Sequence, residues 1–169
     1  MDNRGCELNL PYPPIEVKGK NLCYAQLLQR DYTGKNGEMT AVTQYFYQHL
    51  TTKACSEALA DELECVSIVE MRHLEMLGEL IVLLGGVPVF RTTEGCVNTF
   101  WCGDNVQPTQ NIKKFLQNNI AAEKIAIQNY RQHVMLIKDP KIQAVLERII
   151  LDEEHHIALF TKALSELPG

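Results

Sequence analysis

Two short segments constrain this chain more than anything else in its 169 residues: Glu70-Met71-Arg72-His73 and Glu153-Glu154-His155-His156. Each sets a glutamate and a histidine at i and i+3, so on a helix both side chains leave from one face. Their neighbours show which face that is. Around Glu70 the residues at helical spacing are Leu63, Val66, Leu77, Ile81 and Leu84; around Glu153 they are Ile142, Leu146, Ile149, Phe160 and Leu164. Both pairs therefore sit inside apolar stripes that should face a core.

Two further stripes carry one glutamate each. Glu38 lies in register with Val42 and Tyr45, and Glu123 with Leu116, Ile120, Ile127, Tyr130 and Val134. A carboxylate buried without a counter-charge is costly, and four converging on one interior are untenable as bare anions. Two divalent cations would balance them, with neutral imidazoles completing the coordination. The candidate metal ligands are thus Glu38, Glu70, His73, Glu123, Glu153 and His156. A lone Glu-x-x-His on a helix is ordinarily a solvated, salt-bridged face, and the duplication is what argues otherwise. Glu38 precedes Glu70 by 32 positions and Glu123 precedes Glu153 by 30, while Tyr45 and Tyr130 each follow their glutamate by seven. This loose internal repeat predicts a pseudo-two-fold axis through a metal pair, the arrangement of di-iron and di-manganese bundles. Tyr45 and Tyr130 are candidates to support the ligands from behind, and Asp152 to accept a hydrogen bond from the distal nitrogen of His73. His155, Glu154, Glu75 and His49 read as flank or surface residues, and His133 as lying off the stripe.

Capping and breaking residues supply the frame. Residues 1–20 read as an extended arm, because Pro11, Pro13 and Pro14 oppose a helix. A helical region over residues 21–52 is interrupted at Gly34 and Gly37. A second helix starts after Ser56 and ends at Leu84, before Gly85-Gly86 and Pro88. Thr109 is a candidate cap for a third helix reaching Ile137, and Asp139-Pro140 opens the fourth. Short link, long crossover, short link gives an all-α four-helix bundle with one long crossover between helices 2 and 3, in a domain over residues 21–169.

The net charge of −5, with no Lys/Arg run, argues against a nucleic-acid partner. No apolar stretch is long enough for a signal h-region or a membrane span, so the expected location is cytoplasmic. The six cysteines show no C-x-x-C spacing and read mostly as reduced thiols, with Cys96 and Cys102 close together in the crossover.

The segments Gly37-Glu38-Met39-Thr40-Ala41, Glu70 to Met76, Ile120-Ala121-Ala122-Glu123-Lys124 and Asp139-Pro140-Lys141-Ile142-Gln143 resemble those of manganese catalases, particularly the short, spore-coat-associated members. Rubrerythrins and bacterioferritins share the ligand order within the wider ferritin-like superfamily, and the likeness spans residues 20–165. The resemblance implies a ferritin-like bundle holding two divalent metal ions (manganese or iron) that disproportionates hydrogen peroxide. Glu38, Glu70, His73, Glu123 and His156 match the manganese ligands. Glu153 matches a carboxylate that ligates directly in ferritins and rubrerythrins and, in catalases, lies just outside the metal's ligand set, where it can act catalytically by shuttling protons. The alternatives are a di-iron peroxidase or ferroxidase acting on peroxide or dioxygen, and a non-catalytic metal-binding coat protein. A homo-oligomer and a cytoplasmic or spore-associated location are implied as well. The crossover is shorter than in manganese catalases, and the C-x-x-C pairs of an electron-supplying rubredoxin module are missing.

Overall fold

The computed structural model describes residues 5–94 and 97–167. The helical region over residues 21–52 is two helices: α1, Leu22–Thr33, and α2, Glu38–Thr52. Asn21 caps α1 by accepting from the backbone N–H groups of Cys23 and Tyr24. Gly37 stands at the start of α2, where a Cβ would meet the Asp31 carbonyl oxygen at 2.4 Å, so the turn between the two helices excludes any larger residue. α3, Glu57–Leu83, is capped by Ser56 and stopped by Gly85 at φ +88°.

The crossover is not a plain loop. It holds an antiparallel hairpin of β1, Arg91–Glu94, and β2, Val97–Phe100, with Arg91 opposite Phe100, followed by a 3-10 turn at Gly103–Asn105. The helical period of 3.6 is absent there, and the strands are too short to announce themselves. α4, Ile112–Leu136, is capped by Asn111, not by Thr109, because only the Asn111 side chain reaches the N–H of Lys114. α5, Pro140–Ser165, is capped by Asp139 with proline in its first turn.

α2 packs along α3 and α4 along α5, so the bundle is two helical hairpins joined by the crossover, with α1 laid against α3. Its core divides into two apolar clusters. One gathers Leu28, Leu77, Leu80, Ile81, Ile142 and Ile149; the other gathers Tyr45, Leu63, Val66, Phe115, Leu116 and Phe160. The predicted ligands are buried residues of α2 to α5, the four helices that supply most of these two clusters. No helix among the described residues is long and apolar enough to cross a membrane.

The arm expected over residues 1–20 is extended across residues 5–20 but does not project. It runs antiparallel to α5, from Gly5 beside His155 to Lys18, whose N–H donates to Asp139. Cys6 is disulfide-bonded to Cys65 of α3, with Cα atoms 6.0 Å apart. Among cysteines read mostly as reduced thiols this pair is an exception: partners 59 positions apart leave no spacing motif to recognise. Cys23, Cys55 and Cys102 are free and exposed. Cys96 lies outside the described residues, so the Cys96/Cys102 expectation does too.

Candidate metal centre

Glu70 and His73 project from α3, Glu153 and His156 from α5, Glu38 from the first turn of α2, and Glu123 from the middle of α4. All six are buried, three of them completely. Two sets of four ligand atoms form, each within 4.8 Å: Glu38, Glu70, His73 and Glu153, and Glu70, Glu123, Glu153 and His156. Glu70 and Glu153 belong to both. His73 Nδ1 lies 2.9 Å from Glu70 Oε2 and 3.2 Å from Glu153 Oε1. His156 Nδ1 lies 3.0 Å from Glu70 Oε1 and 3.0 Å from Glu153 Oε2. Each of these carboxylates thus offers one oxygen to each histidine. Glu38 stands 3.9 Å from His73 and Glu123 3.9 Å from His156, one at each end.

The outer nitrogens decide what the inner ones can do. His156 Nε2 lies 3.0 Å from the carbonyl oxygen of Cys6, which can only accept, so that nitrogen carries the proton. His73 Nε2 lies 3.2 Å from Asp152 Oδ2, likewise an acceptor. In the neutral tautomers both Nδ1 lone pairs then point at carboxylate oxygens. Lone pairs and anions facing one another need positive charge between them, protons in the metal-free protein or cations when metal is bound. Glu70 Oε1 adds to this, being buried with no hydrogen bond despite its nearness to His156. The donor set of four carboxylates and two imidazoles fits two divalent cations of the manganese or iron kind.

Without metal the electrostatics are conflicted. Burial, then Glu70 and Glu153, push the Glu38 carboxyl well above its usual range. Burial, Glu153 and Glu70 do the same to Glu123. For Glu70 burial works upward, yet His156 and His73 bring the carboxyl below its usual range. Burial opposes the charged form of both histidines, and the carboxylates still raise them, chiefly Glu153 at His73 and Glu70 at His156.

Tyr45 donates its hydroxyl to Glu123 and Tyr130 donates to Glu38, each reaching into the other helix hairpin. Each tyrosine thus crosses the bundle from one repeat to hold the terminal carboxylate of the other. Asp152 is saturated: Oδ1 accepts from Leu8 N at 2.9 Å and pairs with Arg148 at 2.7 Å, while Oδ2 accepts from Tyr12 at 2.5 Å and faces His73. These partners hold its carboxyl below the usual range against the upward pull of burial.

A cavity of about 80 Å³ reaches the cluster between α2 and α4. Glu38, Tyr45, Glu123 and Glu153 are among its lining residues, together with Gln44, Asn118, Asn119 and Gln107. Glu70 does not line it. The two spanning carboxylates therefore differ: Glu153 faces the opening and Glu70 lies away from it.

Known proteins share the fold over most of this chain. Residues 34–169 match the Ferritin-like domain family. The chain belongs to the ferritin-like family. It is 30% identical to a probable manganese catalase of Clostridium acetobutylicum, covering 90% of this chain and 75% of that protein. It is 31% identical to a bacterioferritin of Streptomyces coelicolor over 71% of this chain and 68% of that one. The crystal structure of KatB, a manganese catalase from Anabaena PCC7120, superposes with a TM-score of 0.83 at 26% identity, covering 94% of this chain and 78% of that chain.

Several residues around this ferritin-like centre escaped the sequence reading. Arg148 sits one turn before Asp152 on α5, and a buried cation at that spacing was a usable signal. Tyr12, whose ring is sandwiched between Arg72 at 4.1 Å and Arg148 at 4.2 Å, gave none, because the arm has no periodicity. His49, read as a surface residue, is buried with Nδ1 2.8 Å from the Ala60 carbonyl oxygen. It lies on the α2 side facing α3, where a backbone carbonyl satisfies it. His133 is buried away from the centre, 2.6 Å from Asp31 of α1.

Proposed function

We propose that this protein is a dinuclear-metal oxidoreductase acting on hydrogen peroxide, converting two peroxides into dioxygen and two waters. The observation that carries the reading is the pair of spanning carboxylates, Glu70 and Glu153, with only Glu153 exposed to a cavity of about 80 Å³. Glu38, Glu70 and His73 would hold one ion, Glu123 and His156 the other, with Glu70 shared and Glu153 within reach of both. A bound manganese or iron pair supplies the two-electron redox chemistry.

The chain's own residues provide the rest. The cavity has room for several water-sized molecules, which suits peroxide and excludes bulky reductants. One peroxide must gain two protons and the other must lose two, so the site needs a proton carrier. Glu153 is placed for that role, since it lines the cavity. Tyr45 and Tyr130 keep Glu123 and Glu38 oriented through their hydroxyl hydrogen bonds. Exposed apolar side chains such as Phe46, Leu50, Val97 and Phe100 support a homo-oligomer as part of the same reading.

The position of Glu153, equidistant within 0.2 Å from both histidines, favours a second reading as a di-iron peroxidase or ferroxidase. Elemental analysis and oxygen release measured on one purified sample separate the two. About two manganese ions per chain with dioxygen evolution from peroxide alone supports the catalase. Iron at the same stoichiometry, with turnover only on added Fe(II) or an electron donor, supports the second. No metal after reconstitution overturns both.

A further inference from the structure

The pseudo-symmetry of the ligands breaks in the layer just outside them. The acceptor behind His73 is Asp152, a side chain of α5 held by Arg148 of the same helix. The acceptor behind His156 is the backbone carbonyl of Cys6, on an arm that approaches from outside the bundle. What ties that carbonyl in place is the Cys6–Cys65 bond to α3. Cys6 therefore joins α3 covalently to α5 by hydrogen bond, across one end of the cluster. The neighbouring anchors are polar: the Gly5 carbonyl lies 2.7 Å from His155 Nε2, the Glu7 carboxylate stands 3.5 Å from Arg72, and Leu8 donates its N–H to Asp152 and accepts at its carbonyl from Arg148. Cleaving the disulfide would thus remove the one covalent anchor of Cys6, leaving its carbonyl held only through its neighbours' hydrogen bonds, and leave the support of His73 standing.

We infer that the Cys6 carbonyl is a positioning group for His156 and that the Cys6–Cys65 disulfide is its reversible clamp, so that the redox state of this pair sets how firmly one of the two metal ions is held. This rests on the dinuclear-metal reading given above. His156 is completely buried, and an imidazole N–H that loses its acceptor there has no solvent to replace it. The ring then turns, and Nδ1 leaves the line to Glu70 and Glu153. Outer hydrogen-bond partners of histidine ligands commonly matter about 10–100-fold in metal affinity.

Both directions of the switch balance with reagents of known class. A phosphine or dithiol reductant gives two electrons, and two protons complete the two thiols. Hydrogen peroxide closes the bond: one thiol takes an oxygen as sulfenic acid and releases water, and the other sulfur displaces it as a second water. Peroxide, the proposed substrate, would then tighten the centre that consumes it.

The test is metal release to a chelator from the metal-loaded full chain. Three samples are compared: disulfide-intact, reduced with tris(2-carboxyethyl)phosphine, and Cys65→Ser. The reduced protein and the variant are expected to lose one ion per chain about 10-fold more readily, the other ion at the original rate. After removal of the phosphine, reoxidation with diamide, a two-electron thiol oxidant, restores the original profile in the wild type and not in Cys65→Ser. If the variant does not fold, the reduced wild type carries the comparison alone. Equal weakening of both ions, or a lower melting temperature with unchanged release, makes the bond a structural staple and overturns the inference. A protein that takes up no metal in either redox state overturns the metal reading and the clamp with it.

Discussion

On the α3/α5 side the cluster is sealed by charge and covalent chemistry: the arm lies over it, Arg148 and Tyr12 saturate Asp152, and Cys6 is bonded to Cys65. On the α2/α4 side it is bounded by neutral amides and a roof of crossover backbone. Gln44 exchanges a pair of hydrogen bonds with the Gln107 backbone, at 2.7 and 3.2 Å, and Trp101 donates to Thr40. The sealed side holds histidines in one tautomer, which requires acceptors that cannot move or be replaced by water. For the proposed function the open side would have to admit a small polar molecule, which requires groups that hydrogen-bond without competing as metal ligands. Retention and access are thus assigned to opposite faces.

The largest test of that division compares the two spanning carboxylates. Glu70→Ala, on the sealed side, is expected to bring metal content close to zero by elemental analysis. Glu153→Gln, on the open side, keeps bound metal and loses about 10²-fold or more in turnover. Equal metal loss in both would erase the distinction.

Asp152→Asn comes next. It leaves Arg148 buried beside a neutral amide and weakens the acceptor behind His73. Urea unfolding should report a loss of about 3–5 kcal/mol, because a buried charge is left without its partner.

The pH response separates metal-free from loaded protein. Glu38 and Glu123 are raised in the folded, metal-free state, so they hold protons there at pH values where the unfolded chain has lost them. Their stabilising contribution is complete below the unfolded value of 4.5 and disappears as pH rises through the folded one. The raised histidines act alike above 6.5. Asp152 and Glu70, lowered, oppose this only on the acid side, where stability falls as they protonate. Metal-free protein should therefore melt at a lower temperature at pH 8 than at pH 5. Metal displaces those protons, so loaded protein should show the reverse order in calorimetry. The same order in both would remove the cations from the account.

The smallest effect is expected at the roof. Gln44→Ala removes two hydrogen bonds to a partly exposed loop and should cost about 1 kcal/mol in unfolding free energy, with metal content unchanged. A loss as large as that at Asp152 would mean that the open face also carries retention.

How much of this could be read in advance depended on the range of each interaction. The stripes around Glu70-x-x-His73 and Glu153-x-x-His156, with Glu38 and Glu123 on two more, made the bundle and its buried carboxylate layer legible, because helical period is a local property. The caps Ser56 and Asp139 were legible for the same reason. The hairpin in the crossover was not, since its strands are four residues each and β2 is exposed along its length, without a patterned face.

The sequence by itself determined which side chains share a helical face, and hence that four glutamates and two histidines must meet. Only the tertiary structure decided that Glu70 is sealed and Glu153 open, that the arm docks along α5, and that Cys6 pairs with Cys65. Those outcomes rest on contacts between distant segments, several made by backbone groups such as the Cys6 carbonyl and the Leu8 N–H. Every residue carries such groups, so no residue type marks them, and only the folded chain selects which ones reach the centre.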